Sequence, residues 1–133
     1  MQNQYGEIAT ALQLYFDGFY EGDVAKLKRI FHPVCHLTHA NDGKLSHDDM
    51  ETVYARVAGR ASPAKNNEKR RDVILGIDAS SPISALARVQ IAIGPRLFTD
   101  YLNLLKIDGE WRIVAKVFSW VELPAVAQKQ AAE

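Results

Sequence analysis

Residues 98–120 read FTDYLNLLKIDGEWRIVAKVFSW, from Phe98 to Trp120. Two runs rich in aromatic and branched residues flank Asp108-Gly109, a dipeptide that favours the positive φ values of a tight hairpin turn. The stretch is therefore expected to be two antiparallel strands. The residues before it, Ile83 to Ile93, place apolar side chains at every odd position: Ile83, Ala85, Ala87, Val89, Ile91 and Ile93. A period of two means that this odd face is the buried one. A two-residue connection at Gly94-Pro95 sets Ile91 opposite Phe98 and Val89 opposite Asp100. A two-residue turn at Asp108-Gly109 sets Leu104 opposite Ile113 and Asp100 opposite Val117. Cross-strand partners share a face, so the inner set becomes Phe98, Asp100, Leu102 and Leu104 with Trp111, Ile113, Ala115 and Val117. Asp100 is the one acid in it. A carboxylate on an apolar face is costly unless paired or hydrated, so either it lines a partly wet cavity or a one-residue bulge at Gly94 turns it to the surface.

The first third of the chain is helical in pattern. Tyr5, Ile8, Ala9, Leu12, Phe16, Phe19 and Tyr20 follow one helix face. Gly22 suits a C′ position, and Asp23 suits the N-cap of a second helix carrying Leu27, Ile30 and Phe31. Pro33 ends that helix. Val34 to Ala40 reads as a short strand, and Asn41-Asp42-Gly43 as a turn. Ser46 with Asp49 resembles a capping box ahead of a third helix through Met50, Val53, Tyr54 and Val57, closed by Gly59. Residues 60–67 read as a polar loop, and Glu68 to Val121 as four long strands in a meander. Helices early and antiparallel strands late define an α+β fold with helices on one face of the sheet. A single domain is expected over residues 1–123, and a frayed tail over 124–133.

Composition narrows the functional classes. The 133 residues carry 16 basic and 16 acidic side chains, so the formal net charge is zero. That lacks the basic field that nucleic-acid binding requires. Cys35 is the single cysteine and cannot form an internal disulfide. The stretch MQNQYGEIATALQLYF has neither the basic start nor the apolar core of a signal peptide or a membrane span, and the expected location is the cytoplasm. No cofactor is expected. His32, His36, His39 and His47 invite a metal reading. Pro33 interrupts their segment and His36 opposes His39 on a strand, so no metal site is expected.

The motifs Phe31-His32-Pro33, Asp42-Gly43-Lys44-Leu45, Thr99-Asp100-Tyr101-Leu102, Asp108-Gly109-Glu110-Trp111-Arg112-Ile113 and Lys116-Val117-Phe118, with the order of elements, resemble the nuclear-transport-factor-2-like superfamily, also called the cystatin-like cone. Within it the chain is similar to the "putative lumazine-binding" and SnoaL-like branch, over residues 5 to 121. The resemblance implies three N-terminal helices packed on a strongly curved antiparallel sheet, with a conical pocket between them. It also implies a choice among binding modules, dimerising modules and isomerases, cyclases or dehydratases.

Candidate catalytic residues are Asp100 as base with His36 as partner, because a carboxylate–imidazole pair can move a proton. Alternation turns one of His36 and His39 toward the helices without saying which. Tyr15, Tyr20, Tyr54, His39 and Trp111 are the candidate ligand contacts. Leu97, Tyr101, Leu105, Ile107, Val114, Phe118 and Trp120 fall on the opposite sheet face, which is too apolar for open solvent. A homodimer through that face is expected, with Tyr101, Phe118 and Trp120 in the contact. The reading that follows is a module for a small hydrophobic or aromatic molecule. The alternatives are an isomerase, cyclase or dehydratase using Asp100 with a His or Tyr partner, and a pure dimerisation module.

Overall fold

Asn3 starts the first helix. Its side chain accepts the Gly6 N–H at 2.8 Å, and α1 runs over Gln4–Glu21. Gly22 ends it in the left-handed region, φ 69°. Asp23 then caps α2 (Val24–Ile30) by accepting the Lys26 N–H. These features stand where the glycine, the aspartate and Pro33 place them. The computed structural model describes residues 3–124. The tail expected over 124–133 lies, apart from Pro124, outside the described residues.

The strands are β1 (His36–His39), β2 (Ser46–Asp49), β3 (Val73–Ser81), β4 (Ser84–Ile93), β5 (Arg96–Ile107) and β6 (Glu110–Glu122), and α3 spans Met50–Ala58. They form one sheet in the order β2-β1-β6-β5-β4-β3. Every pairing is antiparallel except β1 with β6. The sheet is curved and unclosed, and the three helices pack on it. α1 reaches β3, β4 and β6, α2 reaches β6, and α3 reaches β1 and β2. This is the α+β architecture expected from the order of elements.

The expected capping box at Ser46 is not formed. Ser46 pairs with His39 as the first residue of β2, and the cap is Asp49, whose side chain accepts the Thr52 N–H at 2.9 Å. An aspartate one residue before the apolar stripe is itself a sufficient cap, which leaves Ser46 to Asp48 free to pair along the β1 edge.

The β4–β5 register is the expected one, with Val89 opposite Asp100 and Ile91 opposite Phe98. The β5–β6 register begins as expected, with Leu104 opposite Ile113, then shifts, because Asn103 pairs with Ala115. Val114 is the extra residue of a β-bulge, and such a bulge reverses the facing of everything after it. Asp100 therefore lies opposite Phe118, Leu102 opposite Lys116, and Phe98 opposite Trp120. Ala115 and Val117, expected inside, leave the inner row, and Val117 is exposed. Lys116, Phe118 and Trp120, expected outside, turn toward the helices. The core joins Ile8, Leu12, Tyr15 and Phe16 of α1 to Leu27, Val53, Val89, Leu102 and Ile113.

Candidate functional site

Asp100 is fully buried in the middle of β5. The Tyr15 hydroxyl, one turn before the end of α1's apolar face, donates to its Oδ2 at 2.5 Å. Lys116 Nζ lies 3.6 Å from the same oxygen and is itself 4% exposed. Oδ1 has no hydrogen-bond partner among the described residues. The bulge at Val114 is what places Lys116 here. Without it, the lysine would face away and Val117 would stand opposite the acid.

Burial sets the electrostatics. It raises the Asp100 carboxyl above the usual carboxylate range, against the pull of Lys116 and the Tyr15 hydrogen bond. It lowers the Lys116 ammonium, against the pull of Asp100 and Cys35. Both groups are therefore pushed toward their neutral forms. Three rings surround Nζ: Tyr15 at 5.1 Å, Phe19 at 4.9 Å and Phe118 at 4.8 Å from their centroids. Their faces favour the charged amine and so temper the effect of burial. Burial, with Asp100 beside it, holds the Tyr15 phenol well above its ordinary value, so it remains a donor. The Cys35 thiol is pushed up to about 12, chiefly by burial, and is no nucleophile at neutral pH.

Lys116 opens onto a cavity of about 60 Å³. Its walls are Phe19, Leu37, Val53, Val57, Ile91, Ile93, Phe98 and Phe118, and Arg56 and Arg60 stand with Lys116 as its polar groups. Arg56 is engaged by Asp48. Arg60 is half-buried and feels Arg56 and Glu68. The space equals about two waters' share of liquid, below the roughly 300–1,000 Å³ of ligand pockets. Its rim residues Ile93, Phe98 and Phe118 are only partly buried, so a larger occupant would enter by moving rim side chains rather than core.

Larger concavities lie elsewhere. One of about 730 Å³ runs along the outside of α1 by Glu7, Leu14, Lys106 and Trp111. Another, of about 510 Å³, lies by Lys28, Phe31, Met50 and Tyr54. In the first, Glu7 accepts from Lys106 at 3.1 Å and from Trp111 at 3.3 Å. Neither touches Asp100 or Lys116. The small cavity is therefore the candidate site, since its apolar wall meets Lys116, one member of the perturbed buried pair.

The residues expected at the site are distributed as follows. Tyr15 meets Asp100 but does not line the cavity. Tyr20 donates to the Glu68 carbonyl at 2.7 Å and carries Arg70 over its ring, which pins the chain that leads into β3. Tyr54 lines the outer cleft under Lys28. Trp111 is buried, but in the cleft by Glu7. His36 is not Asp100's partner. Alternation around buried Leu37 turns it to the other face of β1, where it stacks on His47 at 4.2 Å. His39 takes the inward side and packs on Phe118 and Trp120 at the rim. Among the described residues, no group of three or more His, Cys, Asp or Glu side chains is placed to hold a metal ion, and no helix is long and apolar enough to cross a membrane.

The inward facing of Lys116 and Phe118 is not expected from the sequence. A signal for them exists. The large apolar residues of β6 change parity within one strand, Trp111 and Ile113 being odd, Phe118 and Trp120 even. Such a change marks a bulge between them.

Comparison with known proteins agrees with this architecture. Residues 3–119 match the family described as "Putative lumazine-binding". An NTF2-like protein of unknown function from Shewanella baltica superposes with a TM-score of 0.79 at 24% identity, covering 89% of this chain and 94% of that one. A second, from Methylobacillus flagellatus, gives 0.74 at 28% identity, covering 86% and 90%. A protein named aldolase FrzH, from Cladobotryum sp, is 25% identical over 118 residues, 87% of this chain and 90% of that protein. The helices on a curved sheet, the pocket they enclose and the match over nearly the whole length lead to one conclusion: the chain belongs to the "putative lumazine-binding" family of NTF2-like proteins.

Proposed function

We propose that this protein binds a small, mainly apolar or aromatic molecule that carries an acceptor oxygen. The observation behind this reading is the floor of the cavity: a buried amine, Lys116, at the end of a wall of Phe, Ile, Leu and Val side chains. An acceptor oxygen on the occupant would satisfy the donors of Lys116 and Arg60, and its apolar body would replace water against the wall. Benzoate is the probe. In ligand-observed NMR it binds the native protein more tightly than benzyl alcohol does. Ile93→Trp, which fills the mouth from a partly buried position, weakens it at least about tenfold, or 1.4 kcal/mol. Equal binding by the native protein and Ile93→Trp would place the ligand elsewhere.

A second reading has a specific observation in its favour. The short Tyr15–Asp100 hydrogen bond beside a buried lysine is the kind of constellation that moves protons, and a relative is named an aldolase. On this reading Asp100 acts with Tyr15 rather than with a histidine. In either case the protein works in the cytoplasm as a homodimer through the outer face of the sheet, without a cofactor. Support for the location is the lone cysteine, buried and free, which gives the fold no use for an oxidising compartment.

A further inference from the structure

We infer that Lys116 is an amine nucleophile that captures an aldehyde or ketone in the cavity as an imine. The inference rests on the pocket reading above and specifies its ligand class. Three observations carry it. Lys116 is the one amine among the cavity walls, it is almost wholly buried, and its terminal nitrogen is 3.6 Å from a carboxyl oxygen. That carboxyl has a second oxygen with no partner among the described residues, so it can accept a proton without breaking the Tyr15 hydrogen bond.

The step balances without an oxidant or reductant. Unprotonated Nζ adds to the carbonyl carbon, and the C=O π pair moves to oxygen. Asp100, kept protonated by burial, gives its proton to that oxygen and takes one back from nitrogen, giving a carbinolamine. Loss of the second nitrogen proton to the hydroxyl, with cleavage of the C–O bond, forms C=N and releases one water. Burial supplies the free amine this needs, because it disfavours the ammonium. The titratable groups that face Nζ are Asp100 from β5, Tyr15 from α1, Cys35 from the segment before β1 and Arg60 from the segment after α3. Asp100 and Cys35 favour the charged amine, whereas Arg60 and burial oppose it.

The test is reductive trapping on the native protein. Propanal is added below stoichiometry with cyanoborohydride at about pH 6, where ordinary lysines near 10.4 are almost fully protonated. Peptide mapping then compares Lys116 with exposed Lys28 and Lys44. Lys116 is expected to gain the propyl group at least about tenfold ahead of either. Benzoate at saturation suppresses that labelling and leaves the surface lysines unchanged. Lys116→Arg removes the amine and loses the adduct; the mapping does not depend on whether that variant folds. Labelling of Lys116 no faster than of Lys28 overturns the imine. If benzoate still binds in that case, the pocket stands without the covalent step; if benzoate binds nowhere, both readings fall.

Discussion

At the scale of the residue, the Asp100–Lys116 pair has the energetics of a functional group rather than of a structural one. Two charges taken out of water usually cost more than their attraction returns, and replacing such a pair with apolar residues is neutral or stabilising by about 1–4 kcal/mol. Removing one member costs about 3–5 kcal/mol, because it strands the other. Asp100→Leu alone should therefore destabilise by that amount in urea unfolding. Asp100→Leu with Lys116→Met should match or exceed the native stability while losing benzoate. Additive losses in the double variant would make the pair structural. The pH dependence has a definite sign. The raised Asp100 contributes stability that is fully present below the ordinary carboxyl value and is lost as pH rises through its folded value. The lowered Lys116 contributes in the opposite sense, losing stability as pH falls through its own folded value. The double variant removes both groups, so its unfolding free energy should depend less on pH than the native protein's between about pH 4 and pH 10.

At the scale of the element, α1 and α2 cross at Gly18. A Cβ there would lie 2.5 Å from Leu27 Cδ2 and 2.7 Å from Leu27 Cγ, and Leu27 is fully buried with no room to retreat. Gly18→Ala gains about 1 kcal/mol of helix propensity but forces overpacking of about 1–3 kcal/mol. The net outcome is a lower urea midpoint with an unchanged slope. A raised midpoint would mean that α2 swings away freely. The same elements show what could be read from the chain. The helix boundaries were legible because Gly22, Asp23, Pro33 and Gly59 act within a few residues of themselves. The β4–β5 register was legible because an unbroken odd row of apolar residues permits no other. The β1–β6 parallel pairing and the strand at Ser46–Asp49 were not, because each depends on what the chain brings alongside. The bulge at Val114 cost most. It adds a single residue, leaves local propensity untouched, and decides whether Lys116 faces Asp100 or solvent. So Asp100 and a tyrosine partner for it are legible in the sequence, whereas His36 is not its partner and Lys116 reaches it only through the bulge.

At the scale of the whole molecule, the bulge also redraws the outer sheet face without making it polar. Phe118 and Trp120 leave it for the inner side, where both ring-pack with Phe98. Tyr101 and Leu105 remain outside and exposed, and Val117 and Val121 join them, Val117 at 53% and Val121 at 63%, with Val73 and Leu75 exposed at the β3 edge. Tyr101 lies opposite Val117 on the paired strands β5 and β6, so there these side chains are neighbours rather than scattered single residues. A stable interface takes roughly 800 Å² from each partner, about a tenth of a small protein's surface, and this chain exposes 7537 Å². Near-zero net charge offers no repulsion between copies. A second copy laid sheet to sheet should therefore double the 14.9 kDa mass in light scattering at micromolar concentration. Tyr101→Glu with Val117→Glu puts four like charges across a two-fold contact and should return the monomer with an unchanged circular dichroism spectrum. Trp120→Ala separates the two possible faces. From the inner side it should disturb the packing around Phe98 and Phe118 and leave the mass doubled. A monomer from Trp120→Ala alone would mean that β6 meets its partner with the even face and that the bulge is not where the register places it. A native protein that is monomeric at every concentration would remove the dimer altogether and leave the apolar band without a partner of its own kind.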